Sequence, residues 1–145
     1  MFIGGGVRGN VTVIGGDFTL SHAKVTGNVR VQGWSEFSIT AGSEIDGNLT
    51  IENASSVALL NPLCASMVAG DLLVSDNDIP IEIGSSQASC PGNIFGHNVV
   101  IKNNTDAIQV YDNQITNDLT CFDNISIAGG GNSARGDKEG QCVPF

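Results

Sequence analysis

The sequence predicts an all-β chain wound as a right-handed parallel β-helix of about six to seven turns, and three observations carry that expectation. A pattern of apolar-x-Gly-Asn/Asp-apolar-x-apolar recurs along the chain, and a second short alternating run lies between successive copies. The composition is turn-rich, with 19 Gly and only 14% charged residues, and the β-branched residues fall in short runs rather than at helical spacing.

The pattern reads Val7-Arg8-Gly9-Asn10-Val11-Thr12-Val13, then Val25 to Val31, then Ile45 to Ile51, then Val68 to Val74. Its later copies are Ile94 to Ile101, one residue longer, and Ile115 to Cys121. The intervening runs are Phe18-Thr19-Leu20, Phe37-Ser38-Ile39, Val57-Ala58-Leu59, Ile79-Pro80-Ile81, Ile108-Gln109-Val110 and Ile125-Ser126-Ile127. The Asn/Asp positions 10, 28, 48, 71, 98 and 118 are separated by 18, 20, 23, 27 and 20 residues. Uneven periods suit a coil whose corners absorb insertions while its strands stay stacked.

Stacking at about 4.8 Å turns equivalent residues into columns, with alternate side chains pointing inward. Val11, Val29, Leu49, Leu72, Val99 and Leu119 form one expected inner column, and Thr12, Arg30, Thr50, Leu73, Val100 and Thr120 the outer column beside it. The Asn/Asp column marks a corner where left-handed backbone is tolerated and side-chain amides bond successive backbones. A left-handed coil would keep a stricter hexapeptide rhythm, and the Ca²⁺-binding roll would repeat Gly-Gly-x-Gly-x-Asp; neither occurs.

Cys64, Cys90, Cys121 and Cys142 contain no close C-x-x-C spacing, which disfavours zinc. Cys64 stands four residues before Val68 and Cys90 four before Ile94, the same place on adjacent turns, so the rung spacing suits a Cys64–Cys90 bridge. Cys121 ends the strand of the sixth copy and Cys142 falls near the equivalent place of a degenerate last turn. A Cys121–Cys142 bridge would close residues 121–145 as the C-terminal end of a single domain spanning 1–145. Two such bridges imply an oxidising, extracellular location. The N-terminal end begins almost directly on a turn, an open edge expected to be covered by something outside this sequence or by a second copy in a homo-oligomer.

Only 6 Lys+Arg stand against 15 Asp+Glu, a formal charge of −9, without a basic cluster, which disfavours nucleic acid. No stretch approaches the ~20 apolar residues of a membrane span. The start, Met1-Phe2-Ile3-Gly4-Gly5-Gly6, lacks the regions of a signal peptide, as expected of a mature chain or of a fragment with an added Met.

The Val-x-Gly-Asn-Val units, together with the tail Cys121-Phe122-Asp123-Asn124 and Gly131-Asn132-Ser133-Ala134-Arg135-Gly136-Asp137-Lys138-Glu139-Gly140-Gln141-Cys142, resemble small secreted β-helix proteins of actinobacteria, of undetermined function. The resemblance covers nearly the whole chain. It implies secretion and the β-helix fold, supplies no catalytic residues, and places departures from the regular pattern in the longer units around Cys64 and Cys90.

Two classes of function follow. One is a secreted scaffold or a surface- or carbohydrate-binding module without catalysis. The other is a small hydrolase, an esterase or polysaccharide-active enzyme, using the bulged turns around residues 71–102, by analogy with β-helix enzymes whose sites lie on an outer face. His97 aligns with Gly70 and so sits beside Asp71, and Ser85, Ser86 and Ser89 lead into its turn. A Ser86, His97, Asp71 relay is the candidate catalytic set, although no nucleophile elbow singles out one serine. His22 could serve Ser21 only through an awkward neighbour contact. Asp76, Asp78 and Glu82, near Lys102, are the candidate carboxylate or Ca²⁺ cluster, with a solvated acidic edge as the plainer reading; no cofactor is required. Trp34 and Tyr111 could stack on the sugar rings of a polysaccharide. Leu73 and Val100 could form an apolar patch for a hydrophobic small molecule, and together with Arg30 they interrupt the threonine array that ice binding would need.

Overall fold

The computed structural model of the protein, described here for residues 1–55 and 59–145, is a parallel β-helix of seven turns with three strands per turn and no helix among the described residues. The first turn carries β1 (Phe2–Ile3), β2 (Gly6–Val7) and β3 (Val11–Ile14). The second carries β4 (Phe18–Ser21), β5 (Lys24–Val25) and β6 (Val29–Gly33), and the third β7 (Phe37–Thr40), β8 (Glu44–Ile45) and β9 (Leu49–Ala54). The fourth carries β10 (Asn61–Leu63), β11 (Met67–Val68) and β12 (Leu72–Ser75), and the fifth β13 (Ile81–Ile83), β14 (Ile94–Phe95) and β15 (Val99–Lys102). The sixth carries β16 (Ala107–Tyr111), β17 (Gln114–Ile115) and β18 (Leu119–Phe122), and the last β19 (Ser126–Gly130), β20 (Ser133–Ala134) and β21 (Lys138–Gly140). First, second and third strands of successive turns stack as sheets A, B and C, of seven strands each.

Alternation in sheet C decides which side chains make the core. Val11, Val29, Leu49, Leu72, Val99 and Leu119 pair in register and are all buried, as are Val13, Val31, Ile51, Val74, Ile101 and Cys121 beside them. Each inner aliphatic side chain gains about 1.5–3 kcal/mol by leaving water. Thr12, Arg30, Thr50, Leu73, Val100 and Thr120 form the outer column, as the spacing predicts.

Sheets A and B correct the expected registers. Phe95, not Ile94, stacks on Val68, so the fifth copy has the common length; Ile94 turns outward at 48% exposure beside Met67. Cys90 therefore precedes its inward residue by one place more than Cys64 does. Of the expected strand Val57-Ala58-Leu59, the first two residues lie outside the described residues and Leu59 is exposed; Asn61-Pro62-Leu63 takes the place in sheet A. Ile81-Glu82-Ile83 replaces Ile79-Pro80-Ile81, although Ile79 is fully buried at the corner. In the last turn Ile127, not Ile125, faces Ile108, and Ile125 is 76% exposed. The slips at Ile79/Ile81 and Ile125/Ile127 share one cause: apolar residues two apart satisfy an alternating pattern at either end of a short strand.

Corners carry the polar structure. At the corner from sheet B to sheet C, the side-chain oxygen of Asn10 accepts the backbone N–H of Asn28 at 2.8 Å. Asn28, Asn48, Asp71, Asn98 and Asp118 each do the same for the next turn, ending on Asp137. Glycine before this column is enforced by close approach: a Cβ on Gly47 would lie 2.5 Å from Asn28 Oδ1 and 2.7 Å from the Gly27 carbonyl. The expected left-handed backbone lies elsewhere. At the corner from C to A it falls on Gly15, Gly33, Asn53, Asp76, Asn103 and Asp123, and at the corner from A to B on His22, Ala41, Ala65 and Asp112. Gly, Asn and Asp suit such positions because they tolerate positive φ.

Two further ladders, both buried, stand at the same two corners. Asn77, Asn104 and Asn124 stack from C to A, ending on Gln141, and Asn93, Asn113 and Asn132 stack from A to B. Each of these six asparagines accepts a backbone N–H from the turn before it and donates Nδ2 to a strand carbonyl of an earlier turn. The disulfides are Cys64–Cys90 and Cys121–Cys142, with Cα separations of 4.9 and 5.2 Å. Cys142 is buried and Phe145 packs against the last turn, closing the C-terminal end.

Asn104→Ala should destabilise the protein by about 2–4 kcal/mol in urea unfolding, because it orphans the buried N–H of Asn77 and the carbonyl of Val74. Asn48→Ala, where water can replace the exposed amide, should cost about 1 kcal/mol or less. Equal costs at the two sites would contradict this division between buried and exposed ladders.

Candidate functional site

The residues of the predicted relay are held by two different corners. His97 is exposed at the corner from B to C on the turn above Asp71, where the register sets it opposite Gly70. Its ring makes no hydrogen bond among the described residues. Asp71 Oδ1 instead accepts Asn98 N at 3.0 Å and Asn98 Nδ2 at 3.2 Å, so the acid that would orient the imidazole is a rung of the exposed ladder. Ser86 is exposed in the insertion between β13 and β14, at the corner from A to B. Its neighbour Ser85 is buried and accepts Gln87 N at 3.2 Å, which closes that turn. No hydrogen bond joins Ser86, His97 and Asp71. Ser21 Oγ and His22 Nδ1 do meet, at 3.2 Å on the surface, without a third group to orient the ring.

Asp76, Asp78 and Glu82 are also divided. Asp76 holds a left-handed corner position and accepts Asn103 Nδ2 at 3.3 Å, while Asp78 accepts Thr105 Oγ1 at 2.9 Å. Glu82 projects from sheet A against the Cys64–Cys90 bridge, and its carboxylate and the two sulfurs lie within 4.8 Å of one another. That is the one grouping of three such donors among the described residues, and its sulfurs are bonded to each other. Lys102 lies over the Phe122 ring at 6.0 Å, on sheet C.

Leu73 and Val100 are paired neighbours on the outer face of sheet C and are half-buried. Trp34 is 78% exposed at the corner after Gly33, and Tyr111 ends β16 on sheet A three turns further along, so the two rings do not form one platform. Depressions lie elsewhere on the surface. One, of about 290 Å³, crosses sheet A over turns two to four and is lined by Asp17, Thr19, Glu36, Ser38, Leu60 and Pro62 among others. A second, of about 360 Å³ on sheet B, contains Met67, Pro91 and Ile94. The Asp17/Glu36 pairing was legible as the residue before each phenylalanine of Phe18 and Phe37. The Met67/Ile94 pair was hidden by the one-residue slip in register.

On the same sheet Lys24 bonds Glu44 at 2.8 Å and Asp46 at 3.0 Å. The hydrogen bond to Glu44, then that to Asp46, holds its ammonium above the ordinary lysine value. The stabilisation is present below the ordinary lysine range and is lost as pH rises through the raised value; solvent exposure keeps the effect small.

Comparison with protein-family models, with curated proteins and with solved structures found no match to the chain. The geometry alone therefore carries the functional argument.

Since Asp76, Asp78 and Glu82 do not converge, Ca²⁺ at about 1 mM, in the range that extracellular modules use, should leave the thermal midpoint unchanged in a melting scan. A rise that Asp78→Asn removes would reveal a cation site.

Proposed function

We propose that the chain is a secreted, non-catalytic β-helical scaffold whose flat outer faces bind a surface ligand, with polysaccharide as the preferred class. The observation that carries this reading is the commitment of Asp71. The acid placed beside His97 is spent on the ladder that joins turns four and five, and the nucleophile candidate Ser86 stands at another corner. A relay needs all three groups within hydrogen-bond reach.

The depression over sheet A supports the preferred ligand. Hydroxyls of Thr19 and Ser38 stand beside the carboxylates of Asp17 and Glu36 and an apolar wall of Leu59, Leu60 and Pro62, the mixture that a sugar's hydroxyls and apolar face require. Two disulfides and the lack of any helix long and apolar enough to cross a membrane among the described residues fit an extracellular location.

The test is a screen against chromogenic short-chain esters and a panel of acidic and neutral polysaccharides, with and without Ca²⁺, for both turnover and retention, alongside His97→Ala. The expected result is retention on one or more polysaccharides, weakened at least about tenfold by Ser38→Lys in the depression, with no turnover. Turnover abolished by His97→Ala in a folded protein would establish the hydrolase reading instead.

A further inference from the structure

Charge is unevenly divided among the three faces of the coil. Arg8 and Arg135 stand at the corner from B to C, Lys24 on sheet B, and Arg30, Lys102 and Lys138 on sheet C, so sheet A carries none of the six Lys and Arg. His22 lies past the opposite end of β4 from Asp17. Acids on the other faces meet these cations: Lys24 bonds Glu44 and Asp46, and Arg30 bonds Glu52. The acids of sheet A do not. Asp17 directly before β4, Glu36 directly before β7 and Glu82 in β13 form no ion pair or side-chain hydrogen bond among the described residues.

These carboxylates share their face with other groups that the fold leaves unused. Register sets Thr19, Ser38, Pro62, Glu82 and Gln109 in one outer column. The hydroxyls of Thr19 and Ser38 bond nothing among the described residues, whereas the corner serines Ser35, Ser43 and Ser66 each donate to a backbone carbonyl two or three residues back. Leu59 and Leu60, which line the same depression as Asp17 and Glu36, are 63% and 48% exposed. From turn two to turn five the face runs about 14 Å at a rung spacing of about 4.8 Å. A single cation cannot meet both Asp17 and Glu82 across that length, but a chain with repeating cations can.

We propose that the outer face of sheet A binds a polymer of protonated amino sugars, of the unacetylated glucosamine kind, laid along the coil across turns two to five. The inference rests on the polysaccharide reading above and adds to it the charge of the sugar. Ammonium groups along the polymer meet Asp17, Glu36 and Glu82, which have no Lys or Arg to displace. Its hydroxyls meet Thr19 and Ser38, and the apolar face of a ring lies on Leu60 and Pro62. A basic peptide supplies the charge without the ring face and hydroxyls, and an acidic polysaccharide is repelled by a chain of net charge −9.

Titration calorimetry of the oxidised 145-residue chain tests this with three probes: glucosamine oligomers, N-acetylglucosamine oligomers of equal length, and oligolysine of equal charge. It is run at low salt and at a pH where the amines are protonated and the carboxylates ionised. The expected result is that glucosamine oligomers bind at least about tenfold tighter than either other probe, and that rising salt narrows the gap to the acetylated oligomers. Asp17→Asn with Glu36→Gln should abolish most of that preference and leave the affinity for acetylated oligomers unchanged. Glu44→Gln with Glu52→Gln, the same change of charge on sheets B and C, should preserve the preference. Equal affinity for the two sugar oligomers would overturn the inference while the polysaccharide reading stands. Oligolysine bound as tightly as glucosamine oligomers, or the same loss from both double variants, would overturn it in favour of unspecific attraction to an acidic chain. Binding of neither sugar would sink both readings. If a double variant fails to fold, the three probes on the unaltered chain decide.

Discussion

Everything in this molecule depends on passing backbone hydrogen bonds from one turn to the next at the corners. In the strands the transfer is automatic, since parallel neighbours satisfy one another. At a corner the chain changes direction and its amides would be stranded, at a cost of about 1–3 kcal/mol for each one buried. The protein solves this with side-chain amides. Asn104 shows the economy: its Oδ1 receives both Asn77 N and Nδ2, while its own Nδ2 reaches the Val74 carbonyl and the next asparagine. Asparagine can do this because it offers a donor pair and an acceptor on one short side chain.

The division of the three ladders explains where aspartate appears. In the two buried ladders every member is an amide, with Gln141 at the end of one, because a carboxylate offers no donor for the strand carbonyl. In the exposed ladder the only protein bond required is acceptance of the next N–H, and there Asp71 and Asp118 serve as well as asparagine. Much of the chain's acidity on these corners is thus tolerated by architecture rather than demanded by chemistry. The same logic accounts for Asp71, whose Oδ1 serves the ladder.

Insertions of the coil are confined by the same constraint. The turn around residues 84–93 lengthens at a corner and leaves the strands in register on both sides, with Cys64–Cys90 fixing the insertion to sheet A. Function in such a coil is therefore sought on its outer columns and corners, where side chains vary without disturbing the stack. The apolar pair Met67 and Ile94 stands on sheet B just past this lengthened turn.

By itself the sequence determined the parallel coil, the inner and outer columns of sheet C, both cysteine pairings and the exposed ladder. These features repeat at one place in successive units, and repetition converts residue identity into position. It did not determine the short strands of sheet A, because alternation over three residues fits at Ile79 or Ile81, and at Ile125 or Ile127, equally well. The buried ladders were present as Asp76-Asn77, Asn103-Asn104, Asp112-Asn113 and Asp123-Asn124, yet their role rests on the left-handed residue that turns each asparagine inward. Tertiary structure alone decided that His97 and Ser86 stand at different corners and that Asp71 is already bonded. Adjacency on a column is a matter of sequence period, whereas the partner of a side chain depends on which of several neighbours across the turn reaches it first.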